Sequence, residues 1–204
     1  MNVFTAVENR RSVKQFNPDH QMTVDEKQKL LSATLLSPTS FNIQNWRFVL
    51  VEDLALRQQL KAAAWNQAQI TDASLVVVIC GDLNAWQKEP LRYWRNLEDV
   101  AIRDYILNAL HNFYVARPQV QRDEVMRSAG IAAQTLMLSA QALGYDSCPM
   151  IGFNVDEVAK LINLPEDHEI GMIVTIGKAL QPARPRSGAL AFEEVVIKDQ
   201  FAQA

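Results

Sequence analysis

Leu75-Val76-Val77-Val78-Ile79-Cys80 is the longest apolar run in the chain. It does not alternate, so it is apolar on both faces and reads as a central strand covered on both sides. The run is far too short to span a bilayer. Flanking segments supply the cover. Upstream, Arg47 to Val51 alternates as a strand and Asp53 to Ala64 has helical spacing. An amide-rich corner, Trp65-Asn66-Gln67-Ala68-Gln69, interrupts that helix, and Thr71-Asp72-Ala73-Ser74 leads into the central run. Downstream, Glu169 to Gly177 is another strand, carried by Ile170, Met172, Ile173, Val174 and Ile176.

Helices account for most of the rest. Residues 2–9 form a short one, with Val3, Phe4 and Val7 on one face. Thr23 with Glu26 three residues on has capping-box spacing, and predicts a helix over 24–36 that Pro38 stops. Asp99 to Val115 is amphipathic, and Pro118 follows its end. Val125 to Leu143 is apolar nearly all round, so it is expected to be buried on all sides, as an inner helix or against a second subunit. Gly144 is a natural stop for it. Asn154 caps a helix over 155–162. The last regular element expected is a short strand, Glu194 to Ile197, joining a sheet edge elsewhere.

A chain of 204 residues, 49% hydrophobic, can build one sizeable core, so residues 1–204 are read as a single domain. A net charge of -3 supplies no field that favours nucleic acid or an anionic membrane. The N-terminal stretch has no basic leader before an apolar block, which argues against a signal peptide and for a cytoplasmic protein. Cys80 and Cys148 form no C-x-x-C pair and sit among apolar residues, so both are expected to be buried, reduced thiols. There is no G-x-G-x-x-G, P-loop, H-E-x-x-H or G-x-S-x-G motif, and His20, His111 and His168 are scattered. No metal site is expected.

Polar islands interrupt this apolar frame. Arg10-Arg11-Ser12-Val13-Lys14 gathers three cations and a hydroxyl. Arg can fork onto phosphate oxygens, although the same arginines can complement a helix C-terminus. Ser37-Pro38-Thr39-Ser40-Phe41-Asn42-Ile43-Gln44-Asn45-Trp46 sets hydroxyls and amides between a helix and a strand. They suit the edge of a bound heterocycle, or an ordinary turn. Asn66 and Gln69 form a third island. Pro149-Met150-Ile151-Gly152-Phe153 is a fourth, where Gly152 lets backbone approach a flat ligand. Arg184-x-Arg186 adds late cations. Trp86, Tyr93 and Trp94, in the irregular 83–98 region, either line a substrate pocket or anchor a surface loop.

The order and spacing of these islands resemble the FMN-dependent nitroreductase family over essentially the whole chain. The resemblance implies an α+β fold, a mixed central sheet flanked by helices, in an intertwined homodimer. The tail, about 182–204, would reach over the partner subunit. Arg10, Ser12, Arg184 and Arg186 would hold the phosphate and nearby ribityl oxygens of a tightly bound FMN, and Arg11 would belong to the same cofactor site. Lys14 would face the pyrimidine edge as an electrostatic stabiliser, with Asn66 and Gln69 addressing the same edge. Pro38, Thr39, Ser40 and Asn42 would come from the other subunit. Pro149, Met150, Ile151 and Gly152 would lie over one flavin face, with the backbone N–H groups of Ile151 and Gly152 near N5 and O4. The resemblance further implies ping-pong hydride transfer through flavin N5, from NADH or NADPH as transient donor to a nitroaromatic, a quinone or a related small molecule. No catalytic side chain is implied, because the chemistry belongs to the flavin. In the best-studied branch, Glu stands where Ile151 does and Lys where Arg184 does. A backbone contact at Ile151 survives that change, and Arg still binds phosphate. Specialised relatives, such as enal-reducing, dehalogenating or flavin-degrading enzymes, remain alternatives, as does a flavin-binding sensor.

Overall fold

The computed structural model describes residues 1–201. The expected tail segment 182–204 therefore lies partly outside the described residues.

Four strands form one sheet in the order β1-β2-β4-β3: β1 Trp46–Leu50, β2 Leu75–Asp82, β3 Asp146–Met150 and β4 His168–Gly177. All three ladders run antiparallel. The parallel pairing among the described residues is an isolated bridge, Ser12 to Ser147. The central run behaves as read. Val76, Val78 and Cys80 point into a core shared with Leu60, Ile70 and Val158. Leu75, Val77 and Ile79 point into the opposite core with Leu30, Ala133 and Leu136. Alternate residues of one strand thus feed two cores, and each buried aliphatic side chain contributes about 1.5–3 kcal/mol.

Among the described residues there are eight α-helices: α1 Val3–Asn9, α2 Val24–Thr34, α3 Leu54–Ala63, α4 Gln69–Asp72, α5 Val100–Tyr114, α6 Pro118–Ala142, α7 Val155–Leu161 and α8 Phe192–Val195. The Thr23–Glu26 capping box is formed in both directions. Asn154 caps α7 through the Glu157 N–H. α6 crosses the sheet closely, and a Cβ on Gly171 would come within 2.5 Å of Ala129 Cβ. Only glycine permits that approach.

Four readings need correction. α6 starts at Pro118, seven residues before the expected Val125, because proline at the first helical position begins a helix as readily as it follows one. Ile131 of α6 stays exposed within this chain, so of the two alternatives for that helix the inner-helix one fails, while burial against a second subunit is left open. The expected strand at Glu194 to Ile197 is instead the short helix α8 followed by extended chain, all exposed. A β-branched run needs a neighbouring strand to complete a ladder, and among the described residues it has none. Conversely, β3 is a strand where the sequence reading has no regular element, only the polar island that begins at Pro149. Pro149 and Gly152 signal a breaker, but Pro149 sits on an edge strand, where the missing N–H breaks no ladder.

Candidate functional site

The Arg10 to Lys14 segment leaves α1 and lies along the outer edge of β3. The Val13 N–H donates to the Ser147 carbonyl at 3.0 Å. Phe16 bridges to Ala179, which carries the tail back beside the same segment. Together, residues 10–15 and 181–188 line an open groove of about 790 Å³. Arg10, Arg11, Ser12, Lys14, Arg184 and Arg186 all lie on it, so the first and last islands meet although they are far apart in sequence.

The cations there divide into two kinds. Arg11 donates to the Glu8 and Arg10 carbonyls. Arg186 donates to the carbonyls of Val7, Glu8 and Arg10 at 3.2, 3.5 and 3.3 Å. These two guanidiniums satisfy the C-terminal end of α1, so the helix-end reading of Arg10 and Arg11 holds for Arg11, and Arg186 of the tail adds to it. Arg10 differs. Its Nη1 is buried and has no hydrogen-bond partner. The Ser147 hydroxyl nearby is also buried and unpartnered. Among the described residues, Lys14 and Arg184 make no ion pair. An unpaired buried donor is costly, and here it stands in a groove lined with positive charge. The donor set therefore fits a phosphate-bearing ligand. Beneath the groove floor, burial pushes the Cys148 thiol up, while Lys14 and Arg10 oppose that shift. Both cysteines are buried and free, and burial alone pushes Cys80 up to about 12.

The third and fourth islands also meet. Gln67 Nε2 donates to the Gly152 carbonyl at 2.8 Å. Gln69 is not at the surface: only 3% exposed, it donates to Gln67 Oε1 at 3.0 Å. Asn66 is exposed, in a left-handed conformation beside Trp65. Met150 is buried as the last residue of β3, Pro149 is half-buried, and Ile151 is exposed. Gln67 is the residue that sequence reading missed here. Its signal was an amide two positions from Gln69, in a corner already rich in amides.

Pro38, Thr39, Ser40 and Asn42 do not line the groove. They form a turn over the N-terminal part of α6. The Ser40 N–H donates to Glu124 Oε1 at 3.1 Å, and Asn42 Nδ2 donates to the Tyr93 carbonyl at 2.9 Å. Phe41, Asn42 and Gln44 all have positive φ, of 49°, 53° and 42°. Such strain in non-glycine residues persists only where surroundings over-determine it. Trp86, with Ile43, Leu110 and Tyr114, forms a small buried cluster, and Tyr93 packs against it. These aromatics anchor the 83–98 loop to the body of the protein.

One acidic cluster was not anticipated. Asp82, Asp167 and His168 bring ligand-type atoms within 4.8 Å of one another. Lys88 Nζ donates to both Asp82 oxygens at 2.9 Å and also to Asp167, and so supplies the countercharge.

Fold and groove together offer a cationic site, against the edge of an antiparallel sheet, whose donors suit an anionic small ligand. The nitroreductase family model matches residues 7–178. The chain belongs to the nitroreductase family, a family of oxidoreductases. It is 50% identical over 191 residues to Protein DrgA of Synechocystis, covering 93% of this chain and 90% of that protein. It is 34% identical to MhqN of Bacillus subtilis, named as an NAD(P)H nitroreductase, covering 88% and 90% of the two chains. A nitroreductase from Exiguobacterium sibiricum, solved in complex with FMN, superposes with a TM-score of 0.88 at 25% identity, covering 97% of each chain. Among the described residues, no helix is long and apolar enough to cross a membrane.

Proposed function

We propose that the protein is an FMN-dependent NAD(P)H oxidoreductase acting on nitroaromatics, quinones or related electron-poor small molecules. The observation that carries this reading is the buried, unpartnered Arg10 Nη1 in a groove shared with Lys14 and Arg184. A related protein named for NAD(P)H and a similar structure containing FMN support it. Bound FMN would supply a hydride acceptor at N5 and, in ping-pong order, would return that hydride from NADH or NADPH to the acceptor.

This chain's residues do the rest. Arg10 and Arg184 pair with the phosphate, while Ser12 adds a hydroxyl. Arg11 and Arg186 hold the end of α1 so that Arg10 stays in register. Lys14 places positive charge by the pyrimidine edge, where it stabilises negative charge. Pro149 to Gly152 and Asn66 border the ring. Pro38, Thr39, Ser40 and Asn42 come from a second subunit, because in their own subunit they lie off the groove. A homodimer is supported by exposed apolar side chains on α1 and the tail, with Phe4 78% and Phe192 69% exposed. A partner subunit, reached in part by the tail, would cover them.

The reading is tested by binding FMN and riboflavin to wild-type protein and to the double variant Arg10→Ala, Arg184→Ala. Riboflavin lacks the phosphate. Loss of charge-assisted hydrogen bonds should weaken FMN roughly 10- to 100-fold and leave riboflavin nearly unchanged. Equal losses for both ligands, or no FMN uptake by wild type, would overturn the reading.

A further inference from the structure

The Trp65 to Gln69 corner clasps the turn after β3. Trp65 and Asn66 hold left-handed φ values of 54° and 59°, a conformation that L side chains seldom adopt. The Asn154 N–H donates to the Ala63 carbonyl at 2.9 Å, which ties the far side of the turn to the end of α3. A Cβ on Gly152 would lie 2.9 Å from Trp65 Cζ3 and 3.4 Å from Gln67 Nε2, so the two backbones approach as closely as glycine permits.

Within the turn, the Phe153 N–H donates to the Ile151 carbonyl at 3.2 Å. In a trans peptide the carbonyl and the N–H point opposite ways. Turning the Ile151 carbonyl toward Phe153 therefore aims the Gly152 N–H out of the turn. That N–H has no acceptor among the described residues. On the other side of Gly152, its carbonyl is held by Gln67 at 2.8 Å, and the Gln67 amide is held in turn by buried Gln69 at 3.0 Å. An amide bonded through both its nitrogen and its oxygen cannot rotate without losing one of the two bonds.

We propose that Gln67, oriented by Gln69, is a positioning residue that fixes the Gly152 peptide, and with it the N–H that the family resemblance directs at the flavin ring. The inference rests on the flavin reading above. A donor fixed before reduction stabilises the electron-rich reduced ring more than the oxidised one, so it raises the reduction potential. A side chain that merely filled space would not.

The test compares FMN-loaded wild type with Gln67→Leu, Gln67→Glu and Gln69→Leu. The readouts are FMN affinity, two-electron midpoint potential, and hydrogen exchange at the Phe153 amide in FMN-free protein. Gln67→Leu should lower the preference for reduced flavin about tenfold, which is about 30 mV for a two-electron couple. Phe153 exchange should speed up several-fold, and FMN affinity should change less than about threefold, since the phosphate contacts are untouched. Gln67→Glu keeps the shape but, ionised, cannot donate, so it should behave like Gln67→Leu. Gln69→Leu should fall between them and wild type. Wild-type protein that takes up no FMN overturns the flavin reading, and this proposal with it. Loaded Gln67 variants with unchanged potential, or Gln67→Glu matching wild type in both potential and exchange, overturn this proposal alone.

Discussion

At the scale of single residues, partners decide roles. Arg11 and Arg186 sit in the same groove as Arg10, yet both are bonded to carbonyls at the end of α1, and only Arg10 keeps a buried nitrogen unpaired. Sequence placed all of them in one candidate site, but could not sort them, because capping contacts depend on where the tail returns. The Asp82, Asp167, His168 and Lys88 cluster was invisible for the same reason: Asp82 ends β2, Lys88 lies in the loop after it, Asp167 in the turn before β4 and His168 at the start of β4. There the Lys88 hydrogen bond, followed by that of His168, holds the Asp167 carboxyl down at about 2. Its folded pKa lies below its unfolded value, so its stabilisation is present above about pH 4 and is lost as pH falls toward about 2. The unfolding midpoint should therefore drop across that window. Asp167→Asn should flatten part of the drop and lower the midpoint at neutral pH. Thermal melts between pH 2 and 7 check this, and identical profiles for both proteins would refute it.

At the scale of elements, the long periodic segments were legible and the punctuated ones were not. β2, β4, α3 and α5 follow the periodicity of their apolar residues, and their ends fall within a few positions of the expected ones. β3 was hidden by Pro149, which an edge strand tolerates, and the start of α6 by Pro118, which serves as its first residue. The turn at Ser40–Asn42 illustrates a contact that no local pattern reveals. Its first N–H is held by Glu124, a carboxylate 8% exposed on α6 that also accepts from the Ser128 hydroxyl at 3.1 Å. Glu124→Ala leaves that half-buried N–H without its acceptor and should cost about 1–3 kcal/mol. Glu124→Gln can still accept and should lose less. Chemical denaturation measures both, and a Glu124→Ala loss below about 0.5 kcal/mol would show that the turn does not depend on this bond.

At the scale of the whole molecule, the candidate site is assembled from segments that sequence lists separately. The edge of β3 brings residues 10–14 to the tail, and the corner after α3 brings Gln67 to Gly152. The order of the islands was readable along the chain. Their pairing was not, since it depends on the β1-β2-β4-β3 strand order. Family membership makes the chain an oxidoreductase, and the central claim is that its groove holds FMN for hydride exchange with a nicotinamide donor. The most direct measurement is an anaerobic absorption spectrum of FMN-loaded protein, recorded before and after adding NADH, then NADPH, then a quinone or nitroaromatic. The account predicts flavin bands that bleach rapidly with at least one donor and return when the acceptor is added. Flavin that stays oxidised with both donors would contradict it.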